Sequence, residues 1–280
     1  MSRCPYCGQD AGWLRKAHKE CQERHDAGQQ HINELMQSAT DGMLALDVAQ
    51  GKVEQVAADS AIARSTLQFL ALSTFESAIS KALADDFLSQ KEEEHLMAFI
   101  SRFSYDLSIE ELSRNPIYMK LLKAAVLRDL MEGRIPERLG VSSPLPFNFQ
   151  KSERMVWVFQ HVKYLQPRTH TTYHGQSSGV SVRIAKGLYF RTGQFHGQPI
   201  TQTQLTHIDT GLIAVTTKHI YFAGGIKSLK IRFDKVFSFI PFSDGVGVQR
   251  ENVSKADVFV TNDGWFTHNL LVNLAQFDPA

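Results

Sequence analysis

Cysteine is scarce and confined to one end. The 280 residues hold three, Cys4, Cys7 and Cys21, and none follows. An odd number crowded into the first 21 residues excludes a disulfide framework and points to a reducing, cytoplasmic setting. No run approaches the ~18–20 apolar residues of a transmembrane helix. The opening Met1-Ser2-Arg3-Cys4-Pro5 has no apolar stretch of the secretory kind. Charge of one sign is missing too: 30 Lys and Arg face 29 Asp and Glu, so any polyanion contact must rest on a local patch. The chain has no P-loop, no Rossmann glycine fingerprint, no G-x-S-x-G and no H-E-x-x-H, and no catalytic residue is assigned. With 43% hydrophobic and 21% charged residues the composition is that of a globular chain, and the length suits two domains, or three if one is small.

The cysteines carry the first signal. Cys4-Pro-Tyr-Cys7-Gly8 is a C-x2-C knuckle, whose tight turn lets two thiolates converge on one ion. From Trp13 no Gly or Pro occurs until Gly28, which predicts a helix there. On it His18 and Cys21, three apart, share a face and complete a Cys3His set around zinc. His25, four residues beyond Cys21, is the rival fourth ligand. The order C-x2-C-G, Gly12-Trp13-Leu14-Arg15, then His18-Lys-Glu-Cys21 resembles short zinc modules at the N-termini of many bacterial proteins. In those modules the H-x2-C pair closes the site. A unit of 28 residues cannot bury a core of its own, so the zinc is expected to be structural. Arg15, Lys16 and Lys19 are the candidate nucleic-acid contacts of this module.

Residues 29–140 read as a helical bundle. One apolar stripe runs from His31 to Leu46, and a second helix starts near Asp59 and carries Ile62, Leu67, Leu70, Phe75, Ile79 and Leu83. Ser89…Glu92 and Ser108…Glu111 are capping boxes. Asn115-Pro116 opens a last helix that stops at Gly133. The acidic turn Asp85-Asp86 followed by the capped helix with Glu92-Glu93-Glu94 resembles the repeating unit of tellurite-resistance TerB-like domains. That resemblance implies stress response or defence, and a metal at the acidic turn.

Residues 141–152 read as a linker and 153–280 as a β domain. Strands are expected at 155–164, 180–184, 188–191, 212–216, 219–223, 228–233, 236–240, 246–250 and 258–261, with turns at Asp209-Thr-Gly211 and Ala223-Gly-Gly225. A final helix from Gly264 would set Trp265, Phe266, Leu270 and Leu274 into the core of a curved barrel. Gly211-Leu-Ile-Ala-Val-Thr216-Thr-Lys-His219-Ile-Tyr-Phe222 is similar to the hairpin of bacterial pleckstrin-homology-like (PH-like) and GRAM-like domains, with His219 at the usual basic position. The resemblance implies binding of a protein or of a phosphoinositide-like lipid. Lys227, Lys230, Arg232 and Lys235 are the candidate phosphate contacts on an anionic membrane. The expected chain is therefore a multidomain α+β protein: a zinc module, a helical bundle, and a PH-like antiparallel β-barrel with a C-terminal capping helix. As a whole it reads as a non-enzymatic cytoplasmic adaptor with a protein partner. A nucleic-acid-binding regulator and a peripheral membrane protein are the other readings, and the pattern leaves the oligomeric state open.

Overall fold

The computed structural model describes residues 2–13, 15–84, 88–105, 107–138, 144–172 and 200–277. The acidic turn Asp85-Asp86 and the strands expected at 180–184 and 188–191 lie outside the described residues. The chain divides into two compact units, Met1–Arg128 and Asp129–Ala280.

In the first unit a small hairpin, closed by an Arg3–Asp10 bridge, leads into helices α1 (Lys19–Thr40), α2 (Leu46–Asp59), α3 (Arg64–Ala82), α4 (Gln90–Phe103), α5 (Ile109–Ser113) and α6 (Pro116–Met131). The helix expected from Trp13 begins only at Lys19, because His18 is the N-cap residue with extended ψ of 141°. It also does not stop at Gly28. It runs through that residue, carrying Ile32, Leu35, Met36 and Ala39 into the core. The stripe predicted over 31–46 is broken after Thr40 by a turn with Gly42 at φ +74°, and α2 then starts at Leu46. Helix α2 buries only Ala49, Val53 and Ala57, a thin apolar stripe at i, i+4, i+8 that is easily read as a connection.

Both capping boxes form. Ser89 Oγ accepts from Glu92 N, and Ser108 Oγ from Glu111 N, while each Glu carboxylate accepts from the cap's own N–H. Asn115 Oδ1 accepts from the N–H groups of Ile117 and Tyr118, where proline at the first helical position needs no donor. A nearly buried ion pair, Arg128 Nη2 to Glu93 Oε2 at 2.5 Å, ties α6 to α4.

The second unit is a seven-stranded antiparallel sheet: β1 (Met155–Thr172), β2 (Ile200–Thr216), β3 (His219–Gly224), β4 (Ser228–Arg232), β5 (Val236–Pro241), β6 (Gly245–Arg250) and β7 (Asp257–Val260), followed by α7 (Gly264–Gln276). The order β4-β3-β2-β1-β7-β6-β5 makes it two meanders joined where β1 pairs with β7. Among the described residues it does not close. β4 and β5 are joined by a single 3-10 turn, Phe233–Lys235, and no ladder links them, so the expected barrel is an open sheet. Tyr164, Phe222 and Phe259 pack ring against ring in its core, and Phe266 of α7 lies 4.7 Å from Trp157. Phe266, Leu270 and Leu274 are buried as expected, but Trp265 is 68% exposed and Leu271 is buried in addition. Asp209-Thr-Gly211 is not a turn but part of β2. The Asp209 carboxylate instead accepts from Ile226 N and Lys227 N, clasping the turn after β3. Those backbone donors hold its carboxyl below the usual range. Phe147 and Phe149, from the stretch read as linker, pack on Tyr221.

Gly28 permits the close approach of α1 to the end of α2. A Cβ there would stand 2.3 Å from Ser60 Oγ and 2.4 Å from its Cβ. Alanine gains about 1 kcal/mol of helix propensity, but overpacking costs about 1–3 kcal/mol. Gly28→Ala is therefore expected to lower stability by up to about 2 kcal/mol in urea unfolding of the full chain, although the same change on an open helix face would raise it.

Candidate metal centre

The knuckle is a hairpin in miniature. Cys4 N donates to Gln9 O (2.8 Å), Ala11 N to Ser2 O (2.9 Å) and Gly8 N to Cys4 O (2.9 Å). Gly8 takes φ +73°, which a side chain would resist. This turn presents Cys4 and Cys7. The chain then returns through Gly12, whose N–H is held by Asp10 Oδ1, and enters α1 at His18. His18 makes no side-chain cap, because its ring is turned onto the cysteines. Cys21 follows in the first turn of the helix.

The ligand atoms of Cys4, Cys7, His18 and Cys21 all lie within 4.8 Å of one another. Nδ1 of His18 is 3.4 Å from Cys7 Sγ and 3.9 Å from Cys21 Sγ. Metal–ligand bonds of about 2.3 Å to sulfur and about 2.05 Å to nitrogen place tetrahedral S···N pairs about 3.6 Å apart, so these spacings fit a four-coordinate ion. His18 Nε2 lies 3.0 Å from the Asp10 carbonyl oxygen. A carbonyl can only accept, so Nε2 carries the proton and Nδ1 is left as the lone-pair donor toward the cluster. His25 stands apart. Its ring lies against Tyr6, centroids 4.5 Å apart, and its Nδ1 faces Asp26.

The protons of the metal-free cluster are in conflict. Burial pushes the Cys4 thiol up, but backbone groups of His18, Tyr6 and Cys7 outweigh it and bring it down to about 6. The Cys21 thiol is pushed up to about 11 by burial and by the neighbouring Cys7 and Cys4 sulfurs. His18 is raised, first by its bond to Cys7. A divalent cation held by this set would displace the thiol protons, as metal binding to thiolates requires.

The remaining candidates separate. Arg15, Lys16 and Lys19 are exposed, with Lys19 paired to Glu23 at 3.7 Å. On the β unit, Lys230 lies over the Tyr221 ring, Arg232 pairs with Asp234, Lys235 pairs with Glu251, and Lys227 is exposed beyond the Gly224-Gly225 turn. Three of the four proposed phosphate contacts thus already have separate partners.

Sequence reasoning missed two buried polar hubs. The side chain of Glu153 is fully buried, accepting from Thr216 Oγ1 (2.9 Å) and from Tyr221 OH (3.0 Å). His219 Nδ1 lies 2.9 Å from Glu153 Oε1, an ion-pair distance without hydrogen-bond alignment. Burial holds the His219 pKa down; Glu153 opposes this, and Lys230 and Arg232 add to it. The second hub is Asp257, which accepts from Tyr164 OH (2.5 Å) and meets Arg250 Nη2 at 2.8 Å. Burial and the adjacent Asp257 carboxylate raise the Tyr164 pKa. Partners of Glu153 lie 63 to 68 residues away, so no local spacing announces the cluster.

Metal uptake should weaken as pH falls, since protons compete for the same sulfurs. Cobalt(II) titrations followed by thiolate charge-transfer absorbance should show affinity dropping between about pH 8 and pH 6. In the same assay His18→Ala should lose at least about tenfold in affinity, whereas His25→Ala should bind as the parent does. For His219 the folded pKa lies below the unfolded value of about 6.5, so the unfolded chain takes up the proton first. Stability of the β unit is then full above that pH and is lost as pH falls through it. His219→Gln should flatten this dependence in urea unfolding at a series of pH values. No family model matches the chain, and no curated protein or solved structure matches it.

Proposed function

We propose that the chain is a non-enzymatic cytoplasmic interaction protein in which zinc is a structural cofactor, a TerB-like helical bundle is the scaffold and a PH-like β unit takes a protein partner. The observation that carries the zinc part is the saturated donor set: three sulfurs and one imidazole within 4.8 Å, with the imidazole's other nitrogen spent on a backbone carbonyl. Four protein donors leave no open position for a reacting water, so the ion's work is to fix the knuckle to the first turn of α1. Zinc is the ion best suited to a closed, thiolate-rich tetrahedral set.

Support for the PH-like reading comes from topology. Seven antiparallel strands in two meanders and α7 packed on β5 and β6 are parts of the architecture that the Gly211–Phe222 motif implies, while among the described residues the sheet stays open between β4 and β5 where a barrel would close. A protein partner fits better than a lipid headgroup, because Lys230, Arg232 and Lys235 are engaged elsewhere. A role in stress response or defence follows from the TerB-like resemblance alone.

Protein purified without added metal is expected to hold about one zinc per chain by elemental analysis, falling well below half in Cys21→Ser. Clearly less than one in the parent would refute the structural-zinc reading. For the partner, affinity purification of the full chain from its native cell should enrich a reproducible protein that is lost when the β unit is removed; enrichment of none would refute the adaptor reading.

A further inference from the structure

Trp13 is 93% exposed. Tryptophan is highly buried on average, and an indole presented almost whole beside unpaired cations offers a face for an aromatic anion to cover. Hydrogen bonds flank it: Gly12 before it takes φ +87° and its N–H is held by Asp10, while Ser2 Oγ donates to the carbonyl of Arg15 at 2.7 Å, two residues after it. That bond brings the Ser2-Arg3 strand alongside Arg15. Arg3, Arg15 and Lys16 are exposed, and among the described residues none makes an ion pair. From Ala11 to Lys19 the sequence holds three cations and no acid; of the flanking carboxylates, Asp10 is turned onto the Gly12 N–H and Glu20 lies in the first turn of α1.

From this combination we infer that the zinc knuckle is a binding site for single-stranded nucleic acid, with Trp13 stacking on an unpaired base and Arg3, Arg15 and Lys16 meeting the flanking phosphates. The inference rests on the zinc reading, since the metal holds the turn on which Trp13 stands. An indole face with guanidinium and ammonium groups within two or three residues complements a ligand that is aromatic and anionic in alternation, and a single strand is such a ligand. A duplex hides its base faces, so it offers this site only its phosphates. An apolar protein groove would accept the indole but would leave three cations unmatched.

The test uses the full-length, zinc-loaded chain and fluorescein-labelled oligo-uridine and oligo-thymidine in anisotropy titrations, with a duplex of equal length as control. Single strands should bind more tightly than the duplex. Trp13→Ala should weaken the single-strand affinity by about 5- to 150-fold, and Trp13→Phe should recover most of it. Arg15→Ala with Lys16→Ala should reduce the slope of log K against log salt by about 1.4, since each lost contact to a single strand removes about 0.7. Elemental analysis of every variant keeps loss of the metal separate from loss of the site, because Trp13→Ala should retain full zinc. No binding at low salt by the zinc-loaded parent, equal affinity for strand and duplex, or an unchanged Trp13→Ala would each overturn the inference. An unchanged oligonucleotide affinity in Trp13→Ala, together with loss of a protein partner, would assign the indole to a protein interface instead.

Discussion

Three sulfur atoms and an imidazole nitrogen held within 4.8 Å of one another form a donor set that could hold a metal ion, and thiolates this close repel one another without a cation among them. That constraint organises the first unit. The knuckle has almost no core, its one well-buried cysteine being Cys4 at 1% exposure, so a bound ion would add the order that burial does not supply. Cys21 belongs to the same unbroken helix that carries Ile32, Leu35, Met36 and Ala39 into the bundle. The donor cluster and the first helix of the bundle are therefore continuous in the chain, with Cys21 in the first turn of α1.

The second unit uses buried carboxylates where the first uses sulfur. Glu153 collects Thr216, Tyr221 and His219, fastening the strand that enters the sheet to the β2–β3 hairpin. Asp257 collects Tyr164 and Arg250, fastening β7 to β1 and β6 at the one place where the two meanders meet. Removing one member of such a buried pair typically costs about 3–5 kcal/mol, because the other is left charged or unpaired in the interior. These hubs set strand register through chemistry that apolar packing alone does not specify.

Much of this was legible in the chain, and the failures have physical reasons. The capping boxes at Ser89 and Ser108, the Asn115-Pro116 start and the strands β3 to β7 are local patterns, and local patterns survive folding, whereas β1 and β2 are legible only over residues 155–164 and 212–216. Legible too were the three cysteines and His18 of the donor set, although spacing alone leaves His25 as a rival and only the fold turns its ring onto Tyr6. The first turn of α1 was misplaced because helix propensity from Trp13 onward competes with ligation, and the His18 ring is spent on the cluster. Asp209-Thr-Gly211 looked like a turn because Asp and Gly favour turns, yet here the Asp serves its neighbour's turn. Trp265 looked like core because only contacts from other elements decide which helical positions are covered.

Gly28 divides α1 into two regimes. On its N-terminal side the helix carries Cys21 into the donor cluster, and on its C-terminal side it buries apolar side chains, with Gly28 itself seated against Ser60 where the second regime begins. A helix of 22 residues is about 33 Å long, so the donor cluster and the last buried turn are far apart on one rod. Unwinding of α1 from its N-terminus would reach the Gly28 seat before it exposed any apolar side chain that the helix buries. The close approach of two helices thus marks where α1 passes from donor cluster to apolar core: Cys21 precedes it, and every apolar side chain that the helix buries follows it.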